Sequence, residues 1–185
     1  MKALSFYYII MLISVIFITS CDKDPEIPNE EELITTLQYI LTPVGGGPDV
    51  ILQFTDPDGD GGVPPVITGD TLQNNTTYTG SVLLMNTSVD PWINITDEIR
   101  DEASEHQFFF IPANVNVDVA YDDADENSNP VGIETTLSTA EASQGTLQII
   151  LRHLPDKTAT GVKEGNIQNA GGETDIEVTF PVKVE

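Results

Sequence analysis

Between residues 33 and 185 apolar residues recur mostly at every second position, in short runs separated by Gly, Pro, Asn and Asp. A period of two puts alternate side chains on one face of an extended chain, so this pattern admits strands far more readily than helices. In the clearest run Ile176, Val178, Phe180, Val182 and Val184 alternate with Asp175, Glu177, Thr179 and Lys183. Similar runs fall at 33–42, 50–54, 78–86, 107–111, 115–121, 133–139 and 147–153. Eight short strands with turn-rich spacers predict an all-β chain, an antiparallel β-sandwich of immunoglobulin-like type occupying 33–185 as one domain. One segment breaks the period. Thr96-Asp97-Glu98 reads as an N-cap with an acidic first turn, and Ile95, Ile99 and Ala103 recur at helical spacing with His106 on nearly the same stripe. That predicts one short helix over 96–106.

The N-terminus carries an address. Met1-Lys2 is followed by an almost unbroken apolar run to Ile18, then Thr19-Ser20-Cys21. A charged start, an apolar stretch too short to span a bilayer and small residues before a cut make residues 1–20 a signal peptide. Ile18-Thr19-Ser20-Cys21 resembles the lipobox of bacterial lipoproteins, with Ile18 where Leu is usual. The resemblance implies that Cys21 is lipidated, with several acyl chains, because one chain alone anchors only weakly. Cys21 is the only cysteine, so no disulfide supports the fold. Residues 21–32 hold Asp22, Asp24, Glu26 and Glu30-Glu31-Glu32 beside two prolines and read as an extended acidic tether.

Charge narrows the partners. The chain has 30 acidic and 7 basic residues, a formal net charge of −23. Phosphate binding needs clustered Lys and Arg, so nucleic acid is excluded, as is adsorption to anionic lipid through basic patches. With 39% apolar residues the chain still has the material for a core.

Two acidic loops suggest a cation. Asp56, Asp58 and Asp60 stand in D-x-D-x-D-G spacing, the first half of an EF-hand-type loop, with Ile67 at the position where a full loop has Glu. In the second loop Asp123, Asp125, Asn127 and Glu134 occupy positions 1, 3, 5 and 12, with Ser128 where the tight turn wants Gly. Carboxylates at alternate positions repel one another without a cation, and Ca²⁺ takes 6–8 oxygens. The same residues also dominate ordinary turns. His106 and His153 form the other candidate: if they converge, two imidazoles suit a transition metal or haem. The sequence has no G-x-S-x-G elbow and no H-E-x-x-H, and nothing in it fixes a catalytic carboxylate pair, so no enzyme is expected. Trp92, the only tryptophan, reads either as an exposed contact or as a plug of the sandwich.

Residues 31–43, 56–62, 105–110, 145–157 and 169–180 resemble those of small lipoproteins of Bacteroidota, flavobacteria chiefly, that carry the automatic name "type 1 periplasmic binding fold superfamily protein". Lys23-Asp24 also resembles the surface-export signal that follows the lipid cysteine in that group. The resemblance implies an outer-membrane lipoprotein on the periplasmic or outer face, working beside a TonB-dependent receptor in nutrient or metal uptake. The two-lobed α/β architecture in the name does not suit 185 residues of strand pattern. The expectation is therefore a lipid-anchored module that binds a ligand or ion, with Ca²⁺ ordering the acidic loops. The alternatives are a structural or adhesive surface protein and a bis-His haem or transition-metal binder.

Overall fold

A computed structural model describes residues 33–59 and 61–185. The signal peptide, Cys21 with its tether, and Asp60 lie outside the described residues. The described residues are all-β, with eleven strands in two sheets and one short α-helix. In chain order the strands are β1 (Thr36–Pro43), β2 (Val50–Thr55), β3 (Val66–Thr68), β4 (Asp70–Leu72), β5 (Thr77–Asn86) and β6 (Ile93–Asn94). After α1 (Ile95–Asp101) come β7 (His106–Ala113), β8 (Val117–Tyr121), β9 (Glu134–Thr139), β10 (Ser143–His153) and β11 (Glu173–Val184). All eight expected strands are present. The three additions, β3, β4 and β6, are two or three residues long.

The first sheet has the order β3-β2-β1-β5-β9-β8, with β6 paired to the end of β5. The second has the order β4-β11-β10-β7. Tyr39, Val82 and Leu137 of the first share one core with Ile149, Phe180 and Val182 of the second, which makes the pair a sandwich. The pairing is not wholly antiparallel, because β4 runs parallel to β11. The cause is local. Only Gly69 separates β3, on the edge of the first sheet, from β4, on the edge of the second, so the chain steps directly between layers. A Cβ at Gly69 would fall on the carbonyl of Pro181, and only glycine permits that approach.

Burial follows the period of two. On β11 Ile176, Val178, Phe180, Val182 and Val184 are buried, and the alternate residues Glu177, Thr179, Pro181 and Lys183 are exposed. Each large apolar side chain removed from water in this way contributes roughly 1.5–3 kcal/mol. A polar pair is admitted where it is satisfied: Tyr39 and Thr135 share a buried hydroxyl hydrogen bond of 2.8 Å. Gly80 leaves the room for it, since a Cβ there would strike both hydroxyls. Burial holds the Tyr39 phenol well above its ordinary pKa, so it remains a donor.

The helix starts earlier and stops sooner than the spacing predicts. Asn94, not Thr96, is the N-cap, its side chain accepting from the Thr96 N–H at 3.1 Å. Thr96 is instead drawn into the core, where its hydroxyl accepts from the Leu84 N–H at 2.7 Å. Ile95 and Ile99 are buried as expected, but the chain turns after Asp101, and His106 is the first residue of β7 rather than the end of a helix. Strand pairing with β10 is the stronger demand on His106. Replacing Asn94 by Ala is expected to lower stability by about 1 kcal/mol, read by urea denaturation, because it strips the cap from a helix of two turns.

Candidate metal centre

Three elements deliver three side chains to one point. His106 opens β7 and His153 closes β10, and the two are directly opposed across the antiparallel ladder. His153 follows Leu147, Ile149 and Leu151 on the core face of β10, as its spacing predicts. The imidazole rings stack with centroids 4.7 Å apart and planes 15° from parallel. The third group is Asp175 on β11, which the alternation assigns to the solvent face. The register between β10 and β11 slips at Leu151/Arg152: Leu151 opposes Ile176 but Arg152 opposes Thr174, which leaves Asp175 as the extra residue of a bulge. A bulge re-aims a side chain. Here it turns the Asp175 carboxylate inward, 3.8 Å from Nε2 of His106. Among the described residues these are the group of three ligand-type side chains whose donor atoms all lie within 4.8 Å of one another.

The hydrogen bonding of His106 decides its chemistry. Its ring is fully buried, and Nδ1 lies 3.2 Å from the backbone carbonyl of Glu102. A carbonyl only accepts, so that contact places the ring proton on Nδ1 and the lone pair on Nε2. Nε2 itself has no hydrogen-bond partner. Burial lowers the pKa of His106, against the raising effect of the Glu102 carbonyl and the carboxylates of Glu102 and Glu105, and the neighbouring His153 lowers it further. The ring is thus a neutral imidazole with a buried lone pair facing a carboxylate and a second imidazole. The Glu102 carbonyl does for it what an outer-shell acceptor does for a ligating histidine. His153 lies 3.8 Å from the carboxylate of Glu105, on the turn that also covers the site, and Leu154 donates its N–H to the Glu105 carbonyl at 2.6 Å.

The described carboxylates of the acidic loops have partners within the chain. In the second, Asp123 accepts from the N–H groups of Gly132, Ile133 and Glu134 at 2.6, 2.8 and 3.0 Å. Asp125 accepts from the N–H groups of Asn127 and Asn129 and from the ammonium of Lys157 at 3.2 Å. Glu134 pairs with Arg100 at 2.9 Å, and Asn127 is exposed. Ser128 adopts the φ of +61° that a glycine there would favour, so the turn closes without one. In this loop a cation of the chain itself, the Lys157 ammonium, stands against the Asp125 carboxylate. Lys157 is buried and completes its three donors on Asp125, the Ala103 carbonyl at 2.6 Å and the Pro130 carbonyl at 3.0 Å. Burial works against the Asp125 carboxylate, but donation from Asn129 and Lys157 outweighs it and holds the group below its ordinary pKa. The loop also closes the free edge of β7: Phe108 donates its N–H to Val131, and Tyr121 donates its hydroxyl to the Phe108 carbonyl at 2.7 Å. In the first loop Asp58 accepts from the Val63 N–H at 3.2 Å and the Asp56 N–H donates to the Thr35 carbonyl at 2.8 Å.

Replacing Asp123 by Ala strands three backbone donors. It is expected to cost about 2 kcal/mol, with the same loss in EGTA as in Ca²⁺, measured by thermal unfolding in each.

The stacked histidines do not fit a haem. Axial imidazoles stand on opposite faces of a macrocycle, whereas these rings lie face to face at 4.7 Å with no room for a macrocycle between them. Two imidazoles and a carboxylate suit a divalent first-row transition ion instead. Of this site the sequence singled out His106 and His153; Asp175 was hidden by its place in an alternating strand. Comparison with protein families, with curated proteins and with solved structures finds no match to this chain.

Proposed function

We propose that this chain is an exported, lipid-anchored β-sandwich that binds a divalent transition-metal ion through His106, His153 and Asp175. Its role is capture or presentation of that ion to an outer-membrane receptor of the TonB-dependent kind. One observation carries the reading: a buried, neutral imidazole holds its unbonded Nε2 within 3.8 Å of a carboxylate, beside a second imidazole. A metal ion among the three would take the Nε2 lone pair of His106 together with the carboxylate and the second imidazole, the donor set that suits a divalent transition ion. His153 and Asp175 keep 13% and 9% of their side chains in contact with solvent.

The lipobox-like Ile18-Thr19-Ser20-Cys21 supports the anchored half of the reading. Elemental analysis of the full mature chain, purified from the envelope without chelator, tests the proposal. The expected result is one Zn, Cu, Ni, Co or Fe per chain, lost together with both histidines in the double variant His106→Gln, His153→Gln. Calcium alone, or a transition metal retained by that variant, would contradict it.

A further inference from the structure

Ten large apolar side chains are exposed among the described residues. Seven of the ten group by strand position. In the first sheet Thr36 of β1 opposes Thr55 of β2 on one side and Met85 of β5 on the other; Thr55 opposes Val66 of β3, and Met85 opposes Asn94 of β6. These pairs mark one end of the sheet. Leu33, Val63, Val66, Val89, Trp92 and Ile93 all lie there, and Ile67 sits one residue further in. Trp92 is 54% exposed, too much for the plug of a sandwich. Its neighbours across the end are pinned: Thr35 and Thr87 share a hydroxyl hydrogen bond of 2.9 Å, and the Thr35 N–H donates to Met85 at 3.0 Å.

From this placement we infer that this end of the sandwich seats in the interfacial layer of the membrane, with Trp92 and Ile93 as its deepest residues. Three observations select lipid as the occupant. The described domain begins at Leu33, within the patch, and only 12 residues, numbers 21–32, carry the chain from Cys21 to that point. A tryptophan with aliphatic neighbours is the side-chain set that favours the boundary between headgroup and acyl chain. No Lys or Arg occurs from residue 24 to residue 99, while Asp58 and Asp90 stand exposed beside the patch, so the surface suits zwitterionic headgroups and opposes anionic ones. The inference rests on the lipid-anchor half of the proposed function and is independent of the metal.

Trp92 is the only tryptophan and therefore reports its own surroundings. The full mature lipoprotein is reconstituted into phosphatidylcholine vesicles, recovered by flotation, and its emission recorded. The expected result is a shift to shorter wavelength, quenching by bromine-labelled lipid, and about a twofold loss of accessibility to acrylamide. Ile93→Asp keeps the tryptophan and is expected to restore aqueous emission while the protein still floats. Vesicles rich in phosphatidylglycerol are expected to give the smaller shift. Aqueous emission from wild-type protein that floats would overturn the seating while leaving the anchor intact. Failure to float would overturn the anchor and the seating together. The same blue shift in lipid-free protein would assign the patch to a second copy of the chain.

Discussion

Replacing Lys157 by Met is expected to cost about 3–5 kcal/mol of stability, because it leaves the Asp125 carboxylate buried without its counter-charge. For a domain of this size that lowers the melting temperature by roughly 10 °C or more. The lysine holds three segments at once: the second acidic loop through Asp125 and Pro130, the turn after α1 through Ala103, and the loop after β10 that carries it. That turn contributes Glu102 and Glu105 to the surroundings of the histidines, so the variant is also expected to loosen the cover of the candidate metal centre. The double variant Lys157→Met, Asp125→Leu removes both charges and is expected to recover much of the loss. Acid gives the same reading without mutation. Asp125 has a lower pKa folded than unfolded, so its contribution is complete above the unfolded value of about 3.9 and disappears as pH falls through the folded one. Wild type is thus expected to lose stability steeply below about pH 4, and Asp125→Leu in the Lys157→Met background to lose less.

The second large effect belongs to the metal. An ion bound only by the folded chain, present at 100 times its dissociation constant, adds about 2.7 kcal/mol. Zn²⁺ is therefore expected to raise the melting temperature of wild type by several degrees and to leave the variant Asp175→Asn nearly unmoved. Removing one of three donors is expected to weaken binding by about 100-fold or more, beyond the 10–100-fold typical of outer-shell partners. His153→Gln serves as the companion variant, because His153 lies at the rim and its replacement disturbs the core less than that of the fully buried His106. A Zn²⁺ shift that survives Asp175→Asn would remove the carboxylate from the site.

Much of the fold was legible in the alternation, and the exceptions have physical causes. The strands that bury one face stood out because burial imposes the period; β3 buries none of its three residues, and β6 has only two. The step from one sheet to the other at Gly69 turns on a single close backbone approach, which leaves no period in the sequence. Thr96 carries the composition of an N-cap, yet a contact with Leu84 from another element claimed its hydroxyl. The acidic loops illustrate a different limit. In the second loop the Asp123 and Asp125 carboxylates meet backbone N–H groups and a lysine 32 residues downstream of Asp125, partners that the spacing of Asp residues does not reveal. For the candidate metal centre, the two histidines were visible as residues and as strand ends. Asp175 was not, because a slip of one residue between β10 and β11 reversed the face that alternation assigned to it.

Titration of the metal-free full mature chain with Co²⁺, followed by its visible absorption, tests the central claim most directly. The expected result is a saturable band, complete at one ion per chain, with energy and intensity set by nitrogen and oxygen donors. It should be absent from His106→Gln and displaced by Zn²⁺. A chain that is folded by circular dichroism and gives no band, or the same band without His106, would contradict the claim.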